Sequence, residues 1–293
     1  MKYINDFEEY LRVIKKYSEY TISNYRKDIE DFYYFVDGKI LDIDHSNVSD
    51  YLSYLYDCKL NRNSISRHLS SIRSFYNYLV HEDIIKVNCF KEISNPKKAY
   101  SLPKYIKDND LEKMFRVFDL TNKLEQRNSL ILEMLYATGV RVSELVNIKL
   151  KDIDYSEKTI KILGKGSKER VVIYGSFCEE ALERYLEDGR IKLLNNKEDN
   201  GYLFLNKDGN KITERSIRKI LDNIITKAAL DIHVSPHMLR HTFATDMLNS
   251  GADLISVKEL LGHESLNTTS IYTHVSQEQI KKVYEMAHPR AKE

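Results

Sequence analysis

The chain lacks any long apolar run. No stretch of its 293 residues approaches the roughly 18 apolar residues needed to cross a bilayer, and the nearest, 129–140, is broken by Glu133. An apolar leader is missing too. Asp6, Glu8 and Glu9 crowd the first residues, so the reading expects neither a signal peptide nor a membrane. Cysteine is scarce: Cys58, Cys89 and Cys178 are odd in number and far apart, which argues against a disulfide framework and against a metal-ligand cluster. A reducing cytoplasm is the expected address. Excess charge of either sign is absent, with 45 basic against 44 acidic residues. That balance does not advertise a nucleic-acid binder and does not exclude one, because binding needs a local basic surface rather than a basic total. No internal repeat or low-complexity tract is visible.

What is present is enough for two folded units. Hydrophobic residues make up 42% of the chain, and the length fits two domains of ordinary size. The N-terminal part reads as all-helical. Phe7, Tyr10, Leu11 and Ile14 fall at helical spacing; a second helix fits 21–36 with Ile22, Tyr25, Ile29 and Phe32 on one face; a third fits 46–56 and a fourth 64–81. No acid occurs between Asp57 and Glu82, while Lys59, Arg62, Arg67 and Arg73 lie there with His68. Such a face suits DNA phosphates, and it equally suits a solvated surface helix. Half of the four prolines sit in the basic segment 88–104, where Lys97, Lys98 and Lys104 could follow a DNA backbone. The expected organisation is an N-terminal domain at 1–93, a linker at 94–104 and a second domain at 105–293. The second reads as mostly helical with a small antiparallel sheet: helices at 108–118, 128–138, 177–188, 213–229, 235–250, 253–261, 266–275 and 277–287, and strands around Ile160/Ile162 and 170–174.

Four motifs in this part carry chemistry. Ser235-Pro236 is a strong helix start, after which His237, Arg240 and His241 follow at i, i+3 and i+4. A zinc pair is the weaker reading, because Met238 stands where a metalloprotease helix carries Glu and Arg240 would repel a cation. In 137–145, Gly139 permits a turn that presents Arg141, with Glu144 placed to steady it or to form an ordinary surface pair. Gly164-Lys165-Gly166-Ser167-Lys168-Glu169-Arg170 occupies a hairpin tip. It fails the Walker pattern, since neither Ser nor Thr follows Lys165 and Thr159 stands at the first glycine position. The hairpin can still deliver an ammonium into a groove, or be a charged solvent turn. In 260–274, Gly262 ends a helix, His263 occupies the joint, and Tyr272 follows. Two arginines, two or three histidines, a lysine and a tyrosine describe metal-free phosphoryl transfer: guanidinium forks bind phosphate oxygens, and tyrosine is a possible nucleophile. No clustered carboxylates are visible to hold magnesium, so no cofactor is expected.

The ordered set Arg141, Lys165, His237, Arg240, His263, Tyr272 resembles the tyrosine recombinase (phage integrase) family, and most closely its Xer type. The likeness covers almost the whole chain, including 21–25 and 64–79 at the N-terminus and the ending 283–291; Asn88-Cys89 departs from the Asn-Pro of many relatives. The resemblance implies an N-terminal core-binding, SAM-like domain and a C-terminal catalytic domain that together clamp duplex DNA as a C. It implies that Tyr272 attacks the scissile phosphate to give a 3′-phosphotyrosyl bond, that Arg141, Arg240 and His263 hold the phosphate, that His237 assists proton movement, and that Lys165 protonates the departing 5′-oxygen. Glu144 would stand behind these residues. A tetramer on two DNA sites is implied, with Ile280, Val283, Tyr284 and Ala287 docking the last helix into a neighbour. So is a role in resolving chromosome or plasmid dimers, alone or with a paralogous recombinase, and with a septal DNA translocase. Two alternatives stand beside it: a relaxase like the type IB topoisomerases, and a non-catalytic DNA-binding protein.

Overall fold

The computed structural model describes residues 1–96, 105–164, 169–262 and 277–291. Lys97, Lys98, Lys104, Lys165, His263, Tyr272 and the expected helix at 266–275 lie outside the described residues. The chain divides into two compact units, Met1–Ser101 and Leu102–Glu293.

The first unit contains α1 (Lys2–Val13), α2 (Glu19–Phe35), α3 (His45–Asp57) and α4 (Arg62–His81). Side chains start three of them. Ser18 accepts the Thr21 N–H, Asp44 and Asn47 form a reciprocal box, and Asn61 accepts the Ser64 N–H. Ile4, Phe7, Leu11, Ile22, Ile29, Phe32, Ile65, Leu69, Ile72 and Phe75 are buried together, with Phe32 edge-on to Tyr51 and Phe90. The helical spacing mistakes one residue: Ile14 is the C-cap of α1 and lies exposed, because the helix ends before it can turn inward.

The second unit opens with α5 (Asp108–Phe115), α6 (Lys123–Thr138) and α7 (Val142–Leu145). From Gln126 to Thr138, α6 is buried almost without interruption, which accounts for the apolar stretch there. Glu133, the residue that breaks it, is buried and paired through both carboxylate oxygens with Arg290. The Arg290 guanidinium lies 4.0 Å from the Phe115 ring centre and 4.1 Å from that of Phe177. The sheet runs β1 (Ile153–Asp154), β2 (Thr159–Leu163), β3 (Glu169–Ile173), all antiparallel, with Ile160 opposite Val172. Ile160 and Ile162 face the core and Lys161 faces solvent, the period of two expected of a half-buried strand.

Next come α8 (Ser176–Arg184), α9 (Arg190–Leu194), α10 (Glu214–Lys227), α11 (Pro236–Asn249), α12 (Leu254–Leu261) and α13 (Gln277–Ala287). The helix expected to stop at Asp188 instead continues through a wide π-turn, Tyr185–Gly189, into α9. Gly189, just past that expected end, keeps helical angles and lets Gln126 pack close by. The apolar face of α13 is covered within the single chain. Tyr284 and Ala287 are buried within the chain's own second unit, against Phe243, Met247, Val257, Leu260 and Leu261, with Ile280 and Val283 packed alongside. A single chain satisfies that face with the nearest complementary groove. Among the described residues no helix is long and apolar enough to cross a membrane.

Candidate active site

The site is built where α6, α11 and α12 end against one another. Gly139 closes α6 in the left-handed conformation, at φ +59°. A Cβ there would fall 2.7 Å from Leu261 and 2.8 Å from Phe243, so glycine is required by both the turn and the close approach. The turn releases Arg141 as the residue preceding α7. Glu144 then closes the first turn: its carboxylate accepts the Arg141 backbone N–H at 2.8 Å and the Arg141 guanidinium at 2.9 Å.

Arg240 reaches the same place from α11. Ser235 caps that helix and Pro236 opens its first turn, as the sequence signals indicate. The Arg240 side chain is buried and donates to the Gly139 carbonyl at 2.5 Å and the Leu261 carbonyl at 2.6 Å. Arg141 donates to the next carbonyl, that of Gly262, at 3.5 Å. The two motif arginines therefore hold adjacent peptides at the end of α12, immediately before His263. Burial, then the neighbouring charges of Arg141 and Arg170, push the Arg240 guanidinium down to about 10; it stays charged at neutral pH.

Arg170, on β3, ends the 164–170 hairpin motif, which assigned it no role of its own. It grips both oxygens of Glu144 at 2.8 Å each. Two guanidinium groups thus hold one buried carboxylate, with a third, that of Arg240, close enough to feel its charge, and a local surplus of positive charge is left. Burial raises the Glu144 pKa, but the bonds to Arg170 and Arg141 outweigh it and hold the carboxyl at about 2. Nothing in the sequence pointed to the pairing of Arg170 with Glu144, because the two lie on separate elements. His237 is exposed at the start of α11, whereas Arg240 is buried and His241 half-buried, so the three do not share one environment.

The N-terminal basic face is also rearranged by the fold. Asp28, on α2, is fully buried and takes Arg67 at 2.5 Å and the Ser71 hydroxyl at 2.7 Å, with the His68 ring at 3.3 Å. Burial lowers the His68 pKa, and its other nitrogen faces the Tyr51 hydroxyl at 3.2 Å. Arg73 bonds the carbonyls of Phe90 and Ile93 and so fastens the segment that leaves this unit. Arg62 begins α4. Asp28, Asp31 and His68 come within metal-ligand reach of one another, a proximity the sequence did not disclose, but Asp28 is already taken up by Arg67 and Ser71.

Two family models match this chain: the phage integrase family over residues 104–279 and the phage integrase N-terminal SAM-like domain over residues 4–83. The chain belongs to the phage integrase family. It is 47% identical over 294 residues to the tyrosine recombinase XerC of Oceanobacillus iheyensis, covering 99% of this chain and 96% of that one. It is 45% identical over 285 residues to the XerC of Staphylococcus saprophyticus, covering 96% and 95%. Among solved structures, the XerH site-specific recombinase in its post-cleavage complex with palindromic difH superposes with a TM-score of 0.72 at 27% identity, covering 97% of this chain and 83% of that one. A lambda integrase dimer on a COC′ core site shares the fold, with a TM-score of 0.69 at 14% identity, covering 94% and 98%. Members of this family are tyrosine recombinases, enzymes that cleave and rejoin DNA, and site-specific recombination is the activity that goes with this membership.

Proposed function

We propose that Tyr272 is the nucleophile of this recombinase. Its phenol oxygen bonds to the scissile phosphorus as the bond to the 5′-oxygen breaks. Arg141, Arg240 and His263 hold the phosphate, His237 takes part in moving the phenol proton, and Lys165 supplies the proton to the departing 5′-oxygen. The 5′-hydroxyl of a partner strand then attacks the phosphotyrosyl bond and releases Tyr272. Phosphate ester energy is conserved, so strand exchange draws on neither ATP nor a metal. The observation that carries this reading is the convergence of Arg141 and Arg240 on the adjacent carbonyls of Gly262 and Leu261. Two fixed cations at the entrance to the segment bearing His263 and Tyr272 are what a transition state with charge on phosphate oxygens requires.

In this reading the N-terminal domain (1–93) and the catalytic domain (105–293) grip duplex recombination sites, with Arg62, Lys97 and Lys98 on the phosphate backbone, while Arg67 is engaged by Asp28 and joins α2 to α4. The Arg73 guanidinium, engaged by carbonyls, contributes mainly by holding the connecting segment. Similarity to XerC proteins supports a cytoplasmic enzyme resolving chromosome or plasmid dimers, as a tetramer with itself or a paralogue and under a septal translocase. Recovering and sequencing the DNA covalently trapped on the protein in cells identifies the site. A nicked suicide duplex of that sequence should then give an SDS-stable adduct, and Tyr272→Phe should give none. Adduct from the Phe variant would dismiss Tyr272.

A further inference from the structure

We propose that Arg170 is a positioning residue that keeps Arg141 turned toward the phosphate by occupying Glu144. The inference rests on the reading of Arg141 as a phosphate ligand. Each Glu144 oxygen has two donors. Oε1 takes the guanidinium groups of Arg141 and Arg170; Oε2 takes the Arg141 backbone N–H and the second Arg170 nitrogen. The carboxylate is therefore full, and Arg141 holds it with one guanidinium nitrogen only. A guanidinium beside an unoccupied carboxylate takes both oxygens. Without Arg170, Arg141 folds back onto Glu144 and withdraws its fork from the reacting phosphate.

The surroundings tie this lever to the rest of the site. The Arg170 stem passes beside Gly262, where a Cβ would lie 2.8 Å from Cδ and 3.0 Å from Nε. Gly262 also accepts the Arg141 bond. Arg170 therefore touches both anchors of Arg141. Along the sequence it follows the hairpin that bears Lys165, so placement of β3 and placement of the Arg141 fork are mechanically linked.

Four kinds of charge face Glu144 among the described residues. Arg141 precedes its own helix, Arg170 comes from β3, Arg240 comes from α11, and a cavity of about 530 Å³ beside it is lined by Lys149, Lys151, Asp152, Lys161 and Glu169. The remaining packing neighbour, α10, buries Ile217, Ile220, Leu221 and Ile224. Loss of Arg170 removes the strongest opponent of burial, so the Glu144 carboxyl rises and begins to take up a proton as pH falls.

The test compares the full-length chain with Arg170→Ala, Arg170→Lys, Glu144→Gln and the double variant on the nicked suicide duplex, at pH 6, 7 and 8. Arg170→Ala should slow adduct formation on the order of tenfold to a hundredfold, the effect of losing charged hydrogen bonds at one site. Gel-shift affinity for the same duplex should stay within a few-fold of the unchanged chain. The rate relative to the unchanged chain should recover in part as pH falls, because a protonated Glu144 releases Arg141, a trend that cancels the titration of every group the two proteins share. Arg170→Lys, which retains a cation but not the fork, should recover part of the rate and remove the trend. The double variant should be no slower than Glu144→Gln, because the two side chains act through one another. A pH-independent ratio with additive double-variant losses overturns the proposal in favour of a purely structural salt bridge. A wild-type rate for Arg170→Ala overturns it outright. If the unchanged chain forms no adduct, the recombinase reading itself has failed.

Discussion

A buried carboxylate in each unit, Asp28 in the first and Glu144 in the second, is held by groups from other elements, and the two serve opposite ends. In the N-terminal unit, Asp28 meets one arginine, a neutral histidine and a hydroxyl, all from α4. Charge is balanced, and the result joins α2 to α4. In the second unit, Glu144 meets Arg141 and Arg170 directly, with Arg240 close by. One acid cannot neutralise three guanidiniums, so a positive field is left over. The same device serves cohesion when the charges cancel and anion binding when they do not.

That contrast can be broken at its strongest point first. Arg240→Ala should reduce adduct formation by about a hundredfold to a thousandfold, the loss typical of a donor aimed at transition-state charge, while duplex binding measured by gel shift falls far less. Equal losses in both would make Arg240 a mere anchor. Arg67→Ala leaves Asp28 buried with only Ser71 and His68, and should cost about 3 kcal/mol in urea unfolding of the N-terminal unit. The rate per folded molecule should not change, which separates the cohesive carboxylate from the functional one.

His288 offers a pH test. Its ring is buried beside Tyr284 and accepts the Arg290 N–H at 3.1 Å, and burial depresses its pKa from the ordinary 6.5 to about 3. The unfolded chain therefore takes the proton first. Stability is full above about pH 6.5 and declines as pH falls toward 3, by up to about 1.4 kcal/mol per pH unit. The groups around it, Arg290, Glu133, Tyr136 and Asp246, stay in place in His288→Phe, so the difference in pH slope between the two proteins, read by urea unfolding, isolates the histidine. Equal slopes would refute the buried neutral ring. The smallest effect belongs to Arg62→Ala. It should lower the salt dependence of DNA binding by about one phosphate contact, with no change in cleavage rate at saturating protein.

Much of the helical pattern was legible because it follows from local chemistry. Ser235 caps where it reads as a cap, and Gly139 and Gly262 end helices where they read as ends. The helix end expected at Asp188 was misplaced, because Gly189, packed against Gln126, remains helical. Glu133 looked like a flaw in an apolar stretch; its partner, Arg290, sits at the far end of the chain. The acid-free α4 looked uniformly available to phosphate until Asp28 arrived from α2. Arg170 was legible as the end of the hairpin motif but not as the partner of Glu144, since nothing near it in sequence names that residue.

Order along the chain, helical periods, caps and the spacing of reactive side chains were decided by sequence alone, because they depend on neighbours within a few residues. Which charges cancel and which remain was decided only by tertiary structure. Electrostatic partners at Asp28 and Glu144 come from separate helices and strands, and a carboxylate's worth depends on how many cations the fold delivers to it.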